Sequence, residues 1–312
     1  MKIVFFGTSP FGIPSLEALL GAGHSICAVV TTADKPAGRN LRVTASPVKE
    51  WAAAKNLPVI ETSREAITTL GERLRAMNAD VFVVISFGVI LPQSLLDIPA
   101  AGALNVHSSL LPRYRGPAPI HWALMNGDAE TGVTVMRMAA SLDTGDILVQ
   151  KKETILDTDD ERSLHERLSR LGASALIESL TLIDRKAAVY TPQSKHLATY
   201  ARKITKEDGR IDWSQTADVI SRRVRALAGW PGTYTFLHGK RIIILKASVA
   251  FETHPAGAEP GFILQASVPA GILVAAKKSV LCIEELQAEG RKPLSAAAFL
   301  TGYALKAGEV FE

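Results

Sequence analysis

The chain has little cysteine and no long apolar run. Its 312 residues include two cysteines, Cys27 and Cys282, both in apolar surroundings. This predicts neither a disulfide framework nor a cysteine-rich metal site. No apolar run approaches the roughly 20 residues of a membrane-spanning helix. Met1 leads directly into a strand-like segment rather than into the charged head and apolar body of a signal peptide, so we expect a cytoplasmic protein.

The excess of positive over negative charge is also small. Lysine and arginine together number 35 and aspartate and glutamate 31, which gives a net charge of +4. A weakly basic balance is compatible with a polyanionic partner but is common in proteins that never bind nucleic acid, so charge decides no function. The length exceeds the usual size of one domain, and two domains are expected.

The first part of the chain alternates between apolar, β-rich runs and helical patterns. The runs fall at residues 3–6, 26–31, 81–87, 104–107 and 133–138. Strands that alternate with helices are typical of βαβ units, so the sequence predicts a doubly wound α/β domain with a mostly parallel sheet. Four helix starts carry capping signals: serine before proline at Ser9 and Ser46, and threonine three residues before glutamate at Thr62 and Thr158.

The second part of the chain shows a different pattern. Periodicity fades over residues 187–204, whose polar and proline-containing composition is typical of a linker. Beyond it, one helix is predicted at residues 216–226, followed by short strands separated by turns. We therefore predict a catalytic domain at residues 1–186, a linker at 187–204 and a small β-barrel at 205–312.

Two short motifs carry the chemistry. Residues 105–112 read Asn-Val-His-Ser-Ser-Leu-Leu-Pro, and residues 142–146 read Leu-Asp-Thr-Gly-Asp. Residues i and i+2 of a strand face the same way, so Asn105 and His107 point into one space. An amide and an imidazole there can stabilise an oxyanion or take a proton from an amine, and Asp143 can orient the imidazole. These groups suit acyl transfer and need no metal.

These motifs resemble the formyltransferases that use 10-formyltetrahydrofolate, and the resemblance covers nearly the whole chain. Three further segments, at residues 113–116, 206–213 and 230–234, resemble the members whose acceptor is methionine carried on initiator tRNA. The resemblance implies that Asn105, His107 and Asp143 are catalytic, and that the barrel is of the oligonucleotide-binding type. Ala139 and Ser141 depart from the family pattern, in which an acidic residue and a glycine are common at these positions.

The resemblance also implies binding residues. Two segments are expected to contact the folate: Ser109, Leu110, Leu111 and Pro112, and with a lower rank Phe87, Gly88, Val89 and Ile90. A basic loop at residues 34–42 is expected to reach the acceptor tRNA, and the residues assigned to tRNA are Arg39, Arg42, Lys49 and Arg222. The protein is expected to act as a monomer.

Simpler interpretations stand beside these assignments. A strand histidine is usually a hydrogen-bonded core residue, an Asp-Thr-Gly-Asp segment is good turn chemistry, and a basic loop is usually a solvated surface. Two other functions remain open: a formyltransferase that acts on a small amine such as an amino sugar, and a folate-binding or RNA-binding module without turnover. Residues 7–12 do not follow the Gly-x-Gly-x-x-Gly spacing, so a dinucleotide-dependent dehydrogenase is a poor competitor.

Overall fold

The computed structural model describes residues 1–37, 42–253, 257–268 and 271–312. The chain forms two compact units. The first consists of Met1–Pro119, Glu130–Thr154 and His165–Ala201, and the second of Ile120–Ala129, Ile155–Leu164 and Arg202–Glu312. The domain bounds expected from the sequence, 1–186 and 205–312, stay predictions.

The first unit is built on one large sheet. Its strands are β1 (Lys2–Gly7), β2 (Ser25–Thr32), β3 (Lys35–Ala37), β4 (Arg42–Thr44), β5 (Val59–Thr62), β6 (Val81–Ile85), β7 (Ala103–His107), β8 (Glu130–Arg137) and β9 (Ile147–Thr154). Seven of them form a sheet in the order β5-β2-β1-β6-β7-β8-β9, while β3 and β4 pair with each other in antiparallel fashion. Pairing is parallel from β5 through β7 and antiparallel from β7 to β9. The predicted doubly wound, mostly parallel sheet is confirmed.

The described ranges of the two units together contain eight α-helices. They are α1 (Ile13–Gly21), α2 (Pro47–Ala54), α3 (Gly71–Ala76), α4 (Gln93–Leu96), α5 (Pro119–Asn126), α6 (Glu161–Asp184), α7 (Ala217–Ala226) and α8 (Ala296–Gly302). None of these helices is long and apolar enough to cross a membrane. The central strands are buried on both faces because helices cover the sheet; β6 is buried along its whole length.

Two of the four predicted helix caps form as expected. The Ser9 hydroxyl accepts from the N–H of Phe11, and the Ser46 hydroxyl accepts from the N–H of Lys49. The other two predicted caps are wrong. Ser63, not Thr62, accepts from a backbone N–H ahead of the turn at Ile67–Leu70, because Thr62 still belongs to β5.

At the start of α6, the cap is formed by Asp160 and not by Thr158. Asp160 accepts from the N–H of Ser163, and the Ser163 hydroxyl accepts from the N–H of Asp160. This reciprocal pair is a capping box that begins two residues after Thr158. A sequence pattern of threonine followed by glutamate cannot distinguish the two registers, since Asp160 and Ser163 offer the same chemistry.

The second unit contains the predicted small barrel, and its strands pair in antiparallel fashion. Its strands are β10 (Thr233–Leu237), β11 (Lys240–Phe251), β12 (Ile263–Ser267), β13 (Gly271–Ala275), β14 (Val280–Ala288) and β15 (Leu294–Ser295). They follow the order β10-β11-β14-β13-β12, with β15 paired to β14. The short strands predicted from the sequence lie at residues 234–237, 241–247, 261–265, 271–275 and 280–285, and β10 to β14 overlap them.

The last residues of the chain close this sheet. The N–H of Phe236 donates to the carbonyl of Glu312 and the N–H of Glu312 donates back, which joins the tail to β10. On the other side, the N–H of Phe311 donates to Gly261 and the N–H of Ile263 donates to Glu309, which joins it to β12. We call residues 309–312 the seam segment. It satisfies the two edges that an open sheet would expose.

A hydrogen-bonded network surrounds the carboxylate of Asp208 in the second unit. Arg202 donates to both oxygens of Asp208, at 2.8 and 2.5 Å, and the backbone N–H of Thr205 donates to Oδ2 at 2.8 Å. Arg223 of α7 donates to the Asp208 carbonyl at 2.8 Å. The side-chain bond to Arg202 holds the pKa of Asp208 at about 2, below its ordinary 3.8.

This network predicts a pH-dependent stability. Because the folded-state pKa of Asp208 is depressed, its contribution is present above pH 4 and is lost as the pH falls toward 2. Asp208→Asn should lower the free energy of unfolding by about 2 kcal/mol at pH 7 and by much less near pH 2. Urea unfolding of the full chain at both pH values measures the difference.

The control for this variant is Asp218→Asn. Asp218 forms an exposed ion pair with Arg222 on one face of α7, and such pairs contribute at most about 1 kcal/mol. Equal losses for the two variants at pH 7, or a loss for Asp208→Asn that does not shrink in acid, would contradict the assignment.

Candidate active site

Strand β7 carries two of the predicted catalytic residues to one pocket. Asn105 and His107 are separated by one residue and project from the same face of the strand, as the alternation requires. Asp143 reaches the same space from the loop after β8. All three line one pocket of about 510 Å³ in the first unit. The structure therefore brings the amide, the imidazole and the carboxylate together.

His107 is held at one ring nitrogen. Its Nε2 lies 2.9 Å from the carbonyl oxygen of Tyr114. Because a carbonyl can only accept, Nε2 carries the hydrogen and donates it, which leaves Nδ1 of the neutral ring as an acceptor. Nδ1 lies 3.7 Å from Oδ2 of Asp143, and both side chains are more than nine-tenths buried. A proton taken up at Nδ1 would thus face a carboxylate.

Asp143 is held just as firmly. Its Oδ2 accepts from the backbone N–H of Gly116 at 2.8 Å. Its backbone has a φ of +52°, a left-handed conformation that few residues other than glycine adopt. Aspartate tolerates this region better than most side chains. The carboxylate therefore faces His107 from a backbone geometry that costs energy and must be stabilised by its surroundings.

The spacing of Asp-Thr-Gly-Asp follows from a close backbone approach. A Cβ atom at Gly145 would overlap the carbonyl group of Arg137, so this position requires glycine. The N–H of Arg137 then donates to the carbonyl of Asp146 at 2.9 Å, which closes the loop. Ala139 and Ser141, which depart from the family pattern, both line the pocket, and the loop still presents Asp143 to His107.

The pocket wall is mainly apolar. The residues that line it come from the segment after β6, from β7, from residues 116–119 and from residues 136–143, with Tyr200 at one side. Phe87 is buried and contacts Phe6 edge-on at 5.5 Å, whereas Ile90 and Leu142 leave 65% and 52% of their surface exposed. An apolar slot with backbone polar groups suits a flat heteroaromatic ligand.

The two segments expected to contact folate are placed differently. Phe87, Gly88, Val89 and Ile90 all belong to the lining. The described lining residues do not include Ser109, Leu110, Leu111 or Pro112. The Ser109 hydroxyl donates to the carbonyl of Arg113 at 2.6 Å, and the N–H of Leu111 donates to Thr134 at 3.1 Å. This gives the lower-ranked segment the stronger geometric support.

Three of the four residues predicted to bind tRNA lie within the described ranges. Arg39 lies outside the described residues, and Arg42 begins strand β4. Lys49, near the start of α2, forms ion pairs with Asp34 at 2.8 Å and Glu61 at 2.7 Å. These two bonds raise the pKa of Lys49.

Arg222 is held within the second unit. Its guanidinium pairs with Asp218 one turn earlier on α7, and its Nε donates to the carbonyl of Met125 at 3.3 Å. The neighbouring arginines of the helix are also bonded, Arg223 to Asp208 and Arg225 to Asp159. Contact of Arg222 with RNA stays a prediction, and it would require the side chain to share or exchange these bonds.

Sequence reasoning missed three residues that shape the site. Gly116 supplies the N–H bound by Asp143, and Gln193 and Arg115 form a hydrogen-bonded pair next to the Asp143 loop. Gln193 lies in the stretch that was interpreted as a linker. The sequence around Gln193 gave no sign of its role, because a polar residue beside proline is typical of a surface segment. Spacing along the chain does not indicate a hydrogen-bond partner 50 residues away.

Comparison with known families identifies the class of this protein as the formyl transferases. Residues 1–180 match the family model described as formyl transferase, and residues 203–304 match the model of its C-terminal domain. The methionyl-tRNA formyltransferase of Thiobacillus denitrificans is 46% identical over 99% of this chain and 98% of its own length. That of Geobacter sulfurreducens is 44% identical over 99% and 96%. The chain therefore belongs to the methionyl-tRNA formyltransferase family.

Solved structures with low sequence identity share the fold. HypX from Aquifex aeolicus in complex with tetrahydrofolic acid aligns with a TM-score of 0.62 at 18% identity, covering 96% of this chain and 47% of HypX. This chain thus spans about half the length of HypX. WlaRD, a sugar 3N-formyl transferase crystallised in the presence of dTDP and 5-N-formyl-THF, aligns with a TM-score of 0.66 at 19% identity, covering 94% and 99%.

Proposed function

We propose that this protein transfers the formyl group of 10-formyltetrahydrofolate to the amino group of methionine carried on initiator tRNA. The observation that carries the proposal is the 46% identity to a methionyl-tRNA formyltransferase over almost the full length of both chains. The match includes the barrel as well as the sheet that bears the site. The protein acts in the cytoplasm as a monomer.

The trio of residues supplies the groups that the reaction needs. The Asn105 amide donates to the oxygen that gains charge when the amine attacks the formyl carbon. His107 takes the amine proton at Nδ1, and the Asp143 carboxylate, 3.7 Å away, balances the imidazolium. The bond between the formyl carbon and N10 of the folate then breaks, and that nitrogen receives the proton.

The pocket fits a folate. Its volume of about 510 Å³ and its mainly apolar wall suit a flat ring system, and Phe87, Gly88, Val89 and Ile90 line it. The same wall brings the ring close to Asn105 and His107. Two of the relatives in fold are described with a reduced folate bound or present, which supports the same choice of donor.

The alternatives have weaker support. An amino-sugar acceptor is suggested by structural relatives at 18–19% identity, a level at which the fold alone is shared. A folate-binding or RNA-binding module without turnover would not need a buried imidazole facing a carboxylate. The acceptor is therefore assigned to charged tRNA.

An acceptor assay tests the proposal. The protein is incubated with radiolabelled 10-formyltetrahydrofolate and either methionyl initiator tRNA or a nucleotide-linked amino sugar, and the label on each acceptor is counted. We expect transfer to the tRNA and none to the sugar. Transfer to the sugar alone would establish the alternative enzyme, and tight folate binding without any transfer would establish the binding module.

The contacts to tRNA predict a salt effect. Phosphate contacts by basic side chains are salt-sensitive, so the KM for charged tRNA should rise steeply with ionic strength while the KM for the folate changes little. Arg39→Ala should raise the barrier for the tRNA substrate by about 1–3 kcal/mol if Arg39 reads a specific feature and by less if it touches phosphate. Steady-state kinetics at low and high salt measure both effects.

The matched control is Arg64→Ala, which removes an exposed arginine of the first unit that is not assigned to RNA. If the Arg39→Ala variant formylated charged tRNA as efficiently as the parent protein at both salt concentrations, the basic loop would be a surface loop that does not bind tRNA.

A further inference from the structure

Gln193 bonds to the backbone of the Asp143 loop. Its Nε2 donates to the carbonyl of Asp143 at 2.9 Å and to the carbonyl of Gly145 at 2.7 Å. These two bonds use both hydrogens of the amide nitrogen. One side chain from a segment 50 residues later in the chain therefore spans the loop that carries the carboxylate.

Arg115 fixes the orientation of that amide. Its Nε and Nη2 donate to Oε1 of Gln193 at 3.0 and 2.7 Å. Arginine can only donate, so the atom facing it must be the amide oxygen, and the nitrogen must face the two carbonyls. The amide cannot flip without placing its NH₂ group against the guanidinium and its oxygen against two carbonyl oxygens.

The loop needs such support. Asp143 adopts a φ of +52°, and its carboxylate is buried against His107. A residue in this conformation keeps it only when its surroundings stabilise it. Tyr114, whose carbonyl accepts from His107, also has a positive φ, of +59°. Asp143 itself and Tyr114, the residue that supports His107, thus both have a strained backbone conformation.

The same segment of chain supports Tyr114. The N–H of Tyr114 donates to the Thr199 hydroxyl at 2.8 Å, and the N–H of Arg115 donates to the Thr199 carbonyl at 2.9 Å. The N–H of Ala201 donates back to the Arg115 carbonyl at 2.7 Å. Gly116, with a φ of +111°, has no room for a Cβ atom because the carbonyl of Ala201 and the Tyr200 ring lie against it. Residues 193–201 therefore brace both sides of the His107–Asp143 pair.

We infer that Gln193 is a positioning residue for formyl transfer, which acts by holding the Asp143 carboxylate in line with Nδ1 of His107 through the backbone of residues 143–145. The inference rests on the function proposed above. Gln193 does not touch the reacting atoms, so its effect passes through Asp143. Misplacing a catalytic group lowers the rate of the chemical step more than it weakens ground-state binding.

Three variants test this inference in the full chain. Gln193→Ala removes both donors, whereas Gln193→Glu keeps an acceptor for Arg115 and places a carboxylate against the two carbonyls. Both should lower kcat by about 10–100-fold, with a KM for 10-formyltetrahydrofolate within about threefold of the parent value. Gln93→Ala is the control: the side chain of this exposed glutamine on α4 donates to Asp97, and its removal should leave kcat unchanged.

A double-mutant cycle separates positioning from general structure. If Gln193 acts through Asp143, adding Gln193→Ala to Asp143→Asn should cause little further loss of kcat, since the group being positioned is already disabled. Thermal unfolding of each variant shows whether the fold is retained. Should Gln193→Ala fail to fold, Gln193→Glu provides the same comparison.

The outcomes are distinct. If the parent transfers no formyl group to charged tRNA, the proposed function fails. If the parent is active but Gln193→Ala and Gln193→Glu turn over at the parent rate, the inference alone is overturned. Losses of Gln193→Ala and Asp143→Asn that multiply in the double variant, or a loss matched by an equal rise in the folate KM, would also overturn it.

Discussion

Replacing His107 or Asn105 by alanine is expected to lower the turnover number by about 10²–10³-fold in each case. In the proposed reaction, Asn105 would supply a donor to the oxygen that becomes charged, and His107 would take a proton at Nδ1, the nitrogen left as an acceptor by the bond of Nε2 to Tyr114. Both contributions arise in the transition state, so the affinity for folate should change little. Single-turnover rates measure the effect on the chemical step without interference from product release.

The control for the first variant is His24→Ala. His24 lies just before β2, at the amino ends of the parallel strands, while His107 ends β7 at their carboxyl ends. Removing it should leave the turnover number unchanged. A near-parental rate in either Asn105→Ala or His107→Ala would show that the chemistry is carried by other groups.

Asp143→Asn is the second substitution with a large expected effect. The amide keeps the shape, and its oxygen can still accept from the Gly116 N–H, but the negative charge facing His107 disappears. A proton on Nδ1 would then lie in a buried space without a counter-charge, which is costly. We expect kcat to fall by about 10²-fold or more, by analogy with the loss of orienting carboxylates in other imidazole-based sites.

The measurement must distinguish charge from shape. Asp143→Ala removes the acceptor for Gly116 as well, so it should lower the thermal midpoint of unfolding more than Asp143→Asn does. Full activity in the asparagine variant would reduce Asp143 to a turn residue. Equal unfolding midpoints with unequal rates would confirm that the charge, rather than the loop geometry, serves the reaction.

The sequence was sufficient to predict the sheet, the barrel and the two motifs of the site. The alternation of β7 placed Asn105 and His107 on one face, and glycine at position 145 proved to be required by a close approach to Arg137. These features are local, because they depend on residues a few positions apart. Ser9 and Ser46 were predicted as caps for the same reason, whereas Thr62 and Thr158 failed where a neighbouring side chain offered equal chemistry.

The hydrogen bonds by which residues 193–201 support the site could not be predicted from the sequence. Gln193 and Thr199 lie in a polar stretch without periodicity, and their partners are 50 and 85 residues away. Such pairings depend on how the chain returns to the sheet, which neither composition nor spacing encodes. The pocket lining includes residues 87–90 rather than 109–112 for a similar reason: whether a motif side chain faces a pocket depends on the partners that its polar groups find nearby.

The seam segment has a consequence for how the barrel folds. The Thr235 hydroxyl donates to the carbonyl of Glu312, a bond between residues 77 positions apart, and Trp213 stacks on Phe311 of the seam at 5.7 Å. Contacts of such large sequence separation bear a high loop-closure entropy and form after local hairpins such as β12–β13. The barrel core around Trp213 is therefore expected to stay open to solvent until residues 309–312 have been synthesised and have docked. An emerging chain would spend that interval with two unpaired strand edges, the stage at which it is most prone to associate with other unfolded chains.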